Sequence, residues 1–237
     1  MTHPLYSLID EEESRIIKLT EGLFSYLWKN PYENNCNSYL VQGDRTILID
    51  PGHSHFTDQL FKEMRADGFL PDHVDLILTT HCHPDHMEGL EAFLDTRARM
   101  TMSQEEERYL LRNGKVLFEL MGRPLPRYRI DFFLKEGEVQ VGREVFEIYQ
   151  TPGHSPGSLS IYWKAQKALF TGDVVFCGGI GRTDFAEGNS KLLLQSIERL
   201  SQLDTELLLP GHGEIVMGRD RVLQNFESIR QNFYGYL

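Results

Sequence analysis

Short runs of β-branched residues and leucines recur along the chain, each followed by a polar or glycine-containing turn. They are Thr46–Ile49, Asp75–Thr79, Val145–Tyr149, Leu159–Trp163, Ala168–Phe170 and Leu207–Leu209. These runs predict strands, several apolar enough to be covered on both faces. Helical spacing alternates with some of them. Leu60, Phe61 and Met64 share one side of Phe56–Asp67, and Leu90, Phe93 and Leu94 share one side of Asp85–Asp95. Ser190 reads as the N-cap of a helix over Lys191–Ser201, and Leu223, Phe226, Ile229 and Phe233 stripe a final helix. Sheets flanked by helices follow, an α/β chain with mixed sheets.

Ser103–Leu134 is the most individual stretch. Ser103 and Glu106 have capping-box spacing, and a helical run continues through Tyr109, Leu110, Val116, Leu117, Leu120 and Met121. Gly122–Pro126 then breaks it. Its apolar side can pack on the sheet, form a lid over the site, or make a homodimer contact. No repeat or Pro/Ser linker divides the chain. The expectation is one domain over residues 1–237 with a helical insertion at about 103–134.

Composition narrows the function classes. With 41% hydrophobic and 25% charged residues, the 237-residue chain has the mix of a folded soluble domain. A net charge of −11 disfavours a broad nucleic-acid or anionic-membrane surface. Met1–Glu13 is polar and acidic, unlike a secretory leader. Cys36, Cys82 and Cys177 are scattered, with no CxxC pair, so neither a disulfide framework nor a thiolate zinc knuckle is expected. A cytoplasmic protein acting on a small molecule, with neither nucleic acid nor membrane as partner, is the expectation.

The chemistry gathers at strand ends. Five of the strand runs lead into Asp50–His53, Thr80–His86, Thr151–His154, Thr171–Asp173 and Pro210–His212. Ligand sites in α/β sheets collect at such ends, because a rigid sheet aims several loops at one point. In His81-Cys82-His83-Pro84-Asp85-His86, residues two apart on extended chain point the same way, so His81 and His83 can chelate one ion. Pro84 suits the first turn of a helix, which turns Asp85 and His86 toward a second position. Imidazole with carboxylate suits Zn²⁺, Mn²⁺ or Fe. A surface polyhistidine cluster is the plain alternative, but the strand before it and the helix after it supply the context a metal motif needs. His154, Asp173 and His212, each an ordinary turn residue alone, gain weight from their joint placement.

These segments, with Asn37–Leu40 and Leu48–Gly52, resemble the metallo-β-lactamase superfamily. The resemblance implies an αββα sandwich, two mixed β-sheets flanked by helices, with metals at one edge. It implies that His81, His83 and His154 hold one metal, that Asp85, His86 and His212 hold the second, and that Asp173 bridges both. Gly179–Phe185 is similar to the glyoxalase II-like hydrolases. Few residues follow His212, so the helical C-terminal domain that helps those enzymes bind glutathione is expected to be absent.

The implied function is a binuclear hydrolase: two divalent ions, Zn²⁺ foremost with Fe or Mn as alternatives, share a hydroxide that attacks a small thioester or ester. Asp85 and Asp173 are its expected catalytic carboxylates. Asp50 is expected to accept a histidine N–H or to cap its loop, and His53 and His55 to touch substrate or start a helix. Cys82 is expected to face away from the metals into packing, and Arg182 to bind an anionic substrate or pair with Asp184. The runner-up is a persulfide dioxygenase of the same superfamily. It is similar in Thr80–His83 and Gly181–Phe185, and holds a single iron through residues matching His81, His154 and Asp173.

Overall fold

The computed structural model describes residues 17–235, so Met1–Glu13, read above against a leader, lies outside the described residues. Seven strands form the first sheet in chain order: β1 (Ile17–Thr20), β2 (Leu23–Tyr26), β3 (Ser38–Gln42), β4 (Thr46–Ile49), β5 (Leu76–Leu78), β6 (Arg99–Ser103) and β7 (Phe132–Leu134). The first four run antiparallel and β4 to β7 run parallel. Parallel neighbours need crossovers. These are α1 (Thr57–Ala66), then α2 (Pro84–Met87) continued by a 3₁₀ stretch (Glu88–Phe93), then α3 (Gln104–Leu120).

The second sheet contains β8 (Gly137–Val141), β9 (Glu144–Gln150), β10 (Leu159–Trp163) and β11 (Ala168–Gly172). A small hairpin of β12 (Val175–Phe176) and β13 (Gly179–Ile180) precedes α4 (Ser190–Leu200), and β14 (Leu207–Pro210), β15 (Val216–Met217) and α5 (Arg219–Phe233) complete the described chain. The sheet order is β15-β14-β11-β10-β9-β8, with only β11 and β14 parallel among these neighbours.

Period-2 alternation puts each strand's apolar residues on two sides. Tyr39, Val41, Ile47, Ile49, Leu76 and Leu78 pack between the sheets against Phe146, Ile148, Ile161, Phe170 and Leu209. Their neighbours Leu40, Leu48 and Ile77 face outward and pack with Leu60, Met64, Phe93, Leu110 and Phe118. On the far side, Leu169 and Leu208 pack with Leu193, Ile197, Phe226 and Ile229. Three apolar layers thus separate helix, sheet, sheet and helix, the expected αββα sandwich.

Local expectations were corrected in three places. The helix read over Asp85–Asp95 is one α-turn followed by 3₁₀, because Gly89 donates to Gly52 O (2.7 Å) and packs directly on Pro51. Asn189, not Ser190, caps α4, its side chain accepting from Leu192 N. On α5, Val222 is buried with Phe226 and Ile229, while Leu223 is 47% exposed. Residues 103–134 are helix as expected through Leu120, then loop, then β7, which pairs parallel with β6. The stretch is therefore a crossover unit of the first sheet.

The parallel pairs decide where the site forms. The C-terminal ends of β4 and β5 lie at one edge of the first sheet, and those of β9, β11 and β14 lie together at one edge of the second. Backbone bonds join these edges: Leu159 N donates to Thr80 O (2.9 Å) and Asn37 N to Gly211 O (2.6 Å). Asn37 Nδ2 and Tyr39 Oη also reach Pro210 O, at 3.1 and 2.7 Å.

Candidate metal centre

The strand-end turns converge, and all seven sequence-predicted ligands come together. Ligand atoms of His81, His83 and His154 lie within 4.8 Å of one another, as do those of Asp85, His86 and His212, and those of His81, His86 and Asp173. Five of the seven are buried, Asp173 keeps 11% of its side chain exposed, and His212, with 24%, is the most open.

The hydrogen bonds around the rings determine which nitrogen faces inward. Thr80 Oγ1 donates to Asp50 Oδ2 (2.6 Å) and therefore accepts from His81 Nδ1 (3.1 Å). His154 Nδ1 donates to Arg182 O (2.7 Å), and His86 Nδ1 to Asp50 Oδ2 (2.9 Å). In each ring the Nε2 lone pair is left for the centre. Asp50 has a left-handed φ of 52°, which its contacts to Thr80 N, Thr80 Oγ1 and His86 hold in place. Its expected role as a histidine support is what the structure shows.

The two halves differ in charge. Burial, reinforced by the neighbouring imidazoles, holds His81 well below the usual histidine range, and burial pushes His83 down to about 3. Burial also opposes charge on His212, but Asp173 and Asp85 outweigh it and lift this ring to about 10. The same contest, led by Asp173, raises His86. Burial would raise the two carboxyls, yet His86 and His212 hold Asp85 and Asp173 below their usual range.

A divalent cation fits this donor set. Buried His81 Nε2, His83 Nε2 and Asp173 Oδ1 have no hydrogen-bond partner, an arrangement native proteins rarely leave uncompensated. His83 Nδ1 lies 2.8 Å from His154 Nε2, so a proton or a cation must lie between these nitrogens. Gly211 belongs to the same packing, since a Cβ there would collide with Asp173 Oδ1 and His86 Cε1.

A cavity of about 490 Å³ opens onto the cluster, lined by His83, Asp85, His154, Asp173 and His212. Leu117 of α3 and Met121, which caps that helix, wall it together with Phe176, Ile180 and Phe185. Arg182 reaches it too, but is held by Asp184 at 2.6 and 2.5 Å and lies over the Phe185 ring. Of its two expected roles, the ion pair is the one present. His53 and His55 turn elsewhere: His53 Nδ1 is 3.0 Å from Glu88 Oε2, and Arg123 bonds both Glu88 and His55. That guanidinium fills the one remaining group of metal-competent side chains among the described residues. Cys82 is buried in the outer core, where burial and Glu106 push its thiol pKa up, so it is packing as expected.

Sequence reasoning missed two polar supports. Asn34 Nδ2 donates to Asp85 Oδ2 (2.6 Å), and Glu106 joins the loops beneath the first histidine trio. Both act across long sequence separations, which motif spacing does not reveal.

The profile of the metallo-beta-lactamase superfamily matches residues 31–212. The chain belongs to this superfamily. Superfamily members similar to it include a probable metallo-hydrolase of Methanocaldococcus jannaschii, 36% identical over 78% of this chain and 91% of the relative. The hydroxyacylglutathione hydrolase GloC of Haemophilus influenzae is 30% identical over 77% of this chain and 86% of its own length. The mitochondrial persulfide dioxygenase of Mus musculus is also 30% identical, over 75% of this chain and 64% of its own. Among solved structures, TTHA1623 in a di-iron-bound form superposes with a TM-score of 0.67 at 28% identity, covering 83% of this chain and 94% of the other. The superfamily's His/Asp metal-binding cluster is thus in place, on its fold, in this chain.

Proposed function

We propose that this metallo-beta-lactamase superfamily member is a binuclear metal-dependent hydrolase of small thioesters or esters, acting in the cytoplasm. The position of Asp173 carries this reading. Its Oδ1 is 3.2 Å from His86 Nε2, and its Oδ2 is 3.4 Å from His212 Nε2 and 3.6 Å from His154 Nε2. One carboxylate therefore faces both trios. His81, His83 and His154 would hold one ion and Asp85, His86 and His212 the other, with Asp173 shared. When bound, two such ions, Zn²⁺ foremost with Fe or Mn as alternatives, bring the pKa of a shared water to roughly 7 and polarise the attacked carbonyl.

The chain's own residues supply the rest. Asp50, Thr80 and the Arg182 carbonyl keep the imidazoles in one tautomer. Asp85, steadied by Asn34, would orient the attacking water. Apolar residues of the cavity wall suit an acyl group, and Arg182, already paired, offers little to an anionic substrate. Among the described residues, the cavity lining offers no acid besides the cluster itself. A thiolate, with a parent pKa of about 8.5, departs without one more readily than an alkoxide.

The similarity to a persulfide dioxygenase supports a second reading, a single iron on His81, His154 and Asp173. The complete second trio favours hydrolysis. An anaerobic comparison separates them. Metal-replete protein should carry close to two ions per chain and cleave a small thioester without oxygen. Stoichiometric oxygen uptake with glutathione persulfide, sulfite formation and no thioesterase activity would assign the dioxygenase reading instead.

A further inference from the structure

Glu106 has capping-box spacing from Ser103, but its carboxylate does not complete the box. Ser103 Oγ accepts from Glu106 N (3.0 Å), as a cap should. The Glu106 side chain instead turns inward and is fully buried. Its Oε1 accepts from Cys82 N (2.9 Å) and from Ser155 Oγ, and its Oε2 accepts from Gly157 N (2.8 Å). Ser103 Oγ adds a bond of its own to Gly157 O (2.6 Å).

The partners matter more than their number. Cys82 lies between His81 and His83, and Ser155 follows His154. One carboxylate therefore ties together the backbones of the two loops that present the whole histidine trio, one from each sheet. The packing leaves no slack, because a Cβ on Gly157 would collide with Glu106 N and Ser103 Oγ. No Lys, Arg or His ion-pairs with Glu106 among the described residues. Burying a carboxylate without a cation is expensive. Three donors and the first turn of α3 offset that cost, but an uncharged residue would serve a simple cap better.

We propose that Glu106 is a positioning residue for the first metal site: it sets the distance between the His81/His83 loop and the His154 loop. The inference rests on the reading that this trio binds a metal ion. Removing the clamp loosens the trio while leaving every ligand present.

Cobalt(II) provides the test, because its visible spectrum reports ligand geometry independently of turnover. Wild-type, Glu106→Gln, Glu106→Ala and Ser155→Ala proteins are stripped of metal, titrated with cobalt chloride, and compared in visible absorption and in metal-free Tm. Glutamine keeps the shape but sets a donor against one of the backbone N–H groups. It should weaken the tighter cobalt site roughly tenfold or more and alter its spectrum, within the range known for residues that orient ligands. Ser155→Ala, losing a single bond, should produce a smaller change in the same direction, and it keeps the test alive if Glu106→Ala does not fold. Glu106→Gln and Ser155→Ala proteins that fold and bind cobalt with wild-type affinity and spectrum would overturn the positioning role. Wild-type protein that takes up no cobalt would instead overturn the metal reading on which it rests.

Discussion

The two trios at the centre are built on opposite principles. His81, His83 and His154 are all histidine and all buried, and two of the rings are pushed toward the neutral form. In this half His81 Nε2 has no hydrogen-bond partner, and His83 Nδ1 meets His154 Nε2 at 2.8 Å. The other half satisfies itself. His212 Nε2 lies 3.1 Å from Asp85 Oδ2 and 3.3 Å from His86 Nε2, and the carboxylates of this half raise both imidazoles above the usual histidine range. In the first trio burial and neighbouring imidazoles disfavour charge on the rings, whereas in the second the carboxylates favour it. A cation therefore competes with protons mainly in the second.

Asp173 is where the comparison should break most completely, since it faces both halves. Asp173→Ala should lower the proposed thioesterase activity by more than about 100-fold, beyond the range expected of residues that only orient ligands. Metal analysis should show loss from both positions. Asp85→Ala with His86→Ala should instead leave about one ion per chain. Loss of a single ion in the Asp173 variant would mean that the carboxylate belongs to one half only.

Acid should separate the halves next. Burial opposes charge on His212 and His86, but Asp173 leads the carboxylates that raise both, His212 to about 10, so a cation entering this half competes with protons. Each proton that a cation displaces weakens its binding by about tenfold per unit fall in pH. Burial lowers His83 to about 3 and holds His81 down as well, so the first trio competes less with protons over the same range. Titrations at pH 8, 7 and 6 should therefore show the weaker site losing affinity more steeply than the tighter one, with proton release confined mainly to the second equivalent. Parallel slopes would refute the division.

A third effect concerns how α3 serves both halves. Its N-terminal turn clamps the first trio's loops through Glu106, and Arg123, just beyond its C-terminal end, reaches Glu88, two residues past His86. Arg123→Ala would take two guanidinium hydrogen bonds from buried Glu88. A destabilisation of about 1–3 kcal/mol is expected, measured by urea unfolding of the metal-free protein, with the tighter ion's affinity unchanged.

These long-range ties mark the boundary of what the chain discloses as a string. The seven cluster residues were legible because each either sits in one six-residue motif or follows an apolar strand run, and the strands themselves alternate clearly. Glu106 was not, because Ser103–Glu106 spacing satisfies a local rule that its side chain then ignores in favour of Cys82, Ser155 and Gly157. Asn34 sits in a polar stretch without periodicity, and its partner Asp85 lies across the fold. The 3₁₀ winding after Met87 depends on Gly89 meeting Pro51, a contact that apolar spacing cannot encode. Strands β1, β2 and β6 also escaped notice, being short runs interrupted by polar residues whose sheet neighbours decide their conformation.

The smallest effect belongs to the cavity wall, which touches both halves without supporting either. Leu117 is buried against the outer core, but Met121 is 40% exposed at the rim. An adaptable, partly solvated thioether forms a weaker boundary than an enclosed pocket, so trimming it costs little packing. Met121→Ala should shift KM by about threefold to tenfold across thioesters of increasing acyl length, below the discrimination of a fully enclosed pocket. The longer acyl groups should gain, because the rim recedes, while kcat on the shortest substrate and metal content stay at wild-type values. This outcome would place substrate selection on α3 and chemistry on the two trios. A uniform fall in kcat for every acyl length, with metal lost, would show instead that the rim is coupled to the trios it borders.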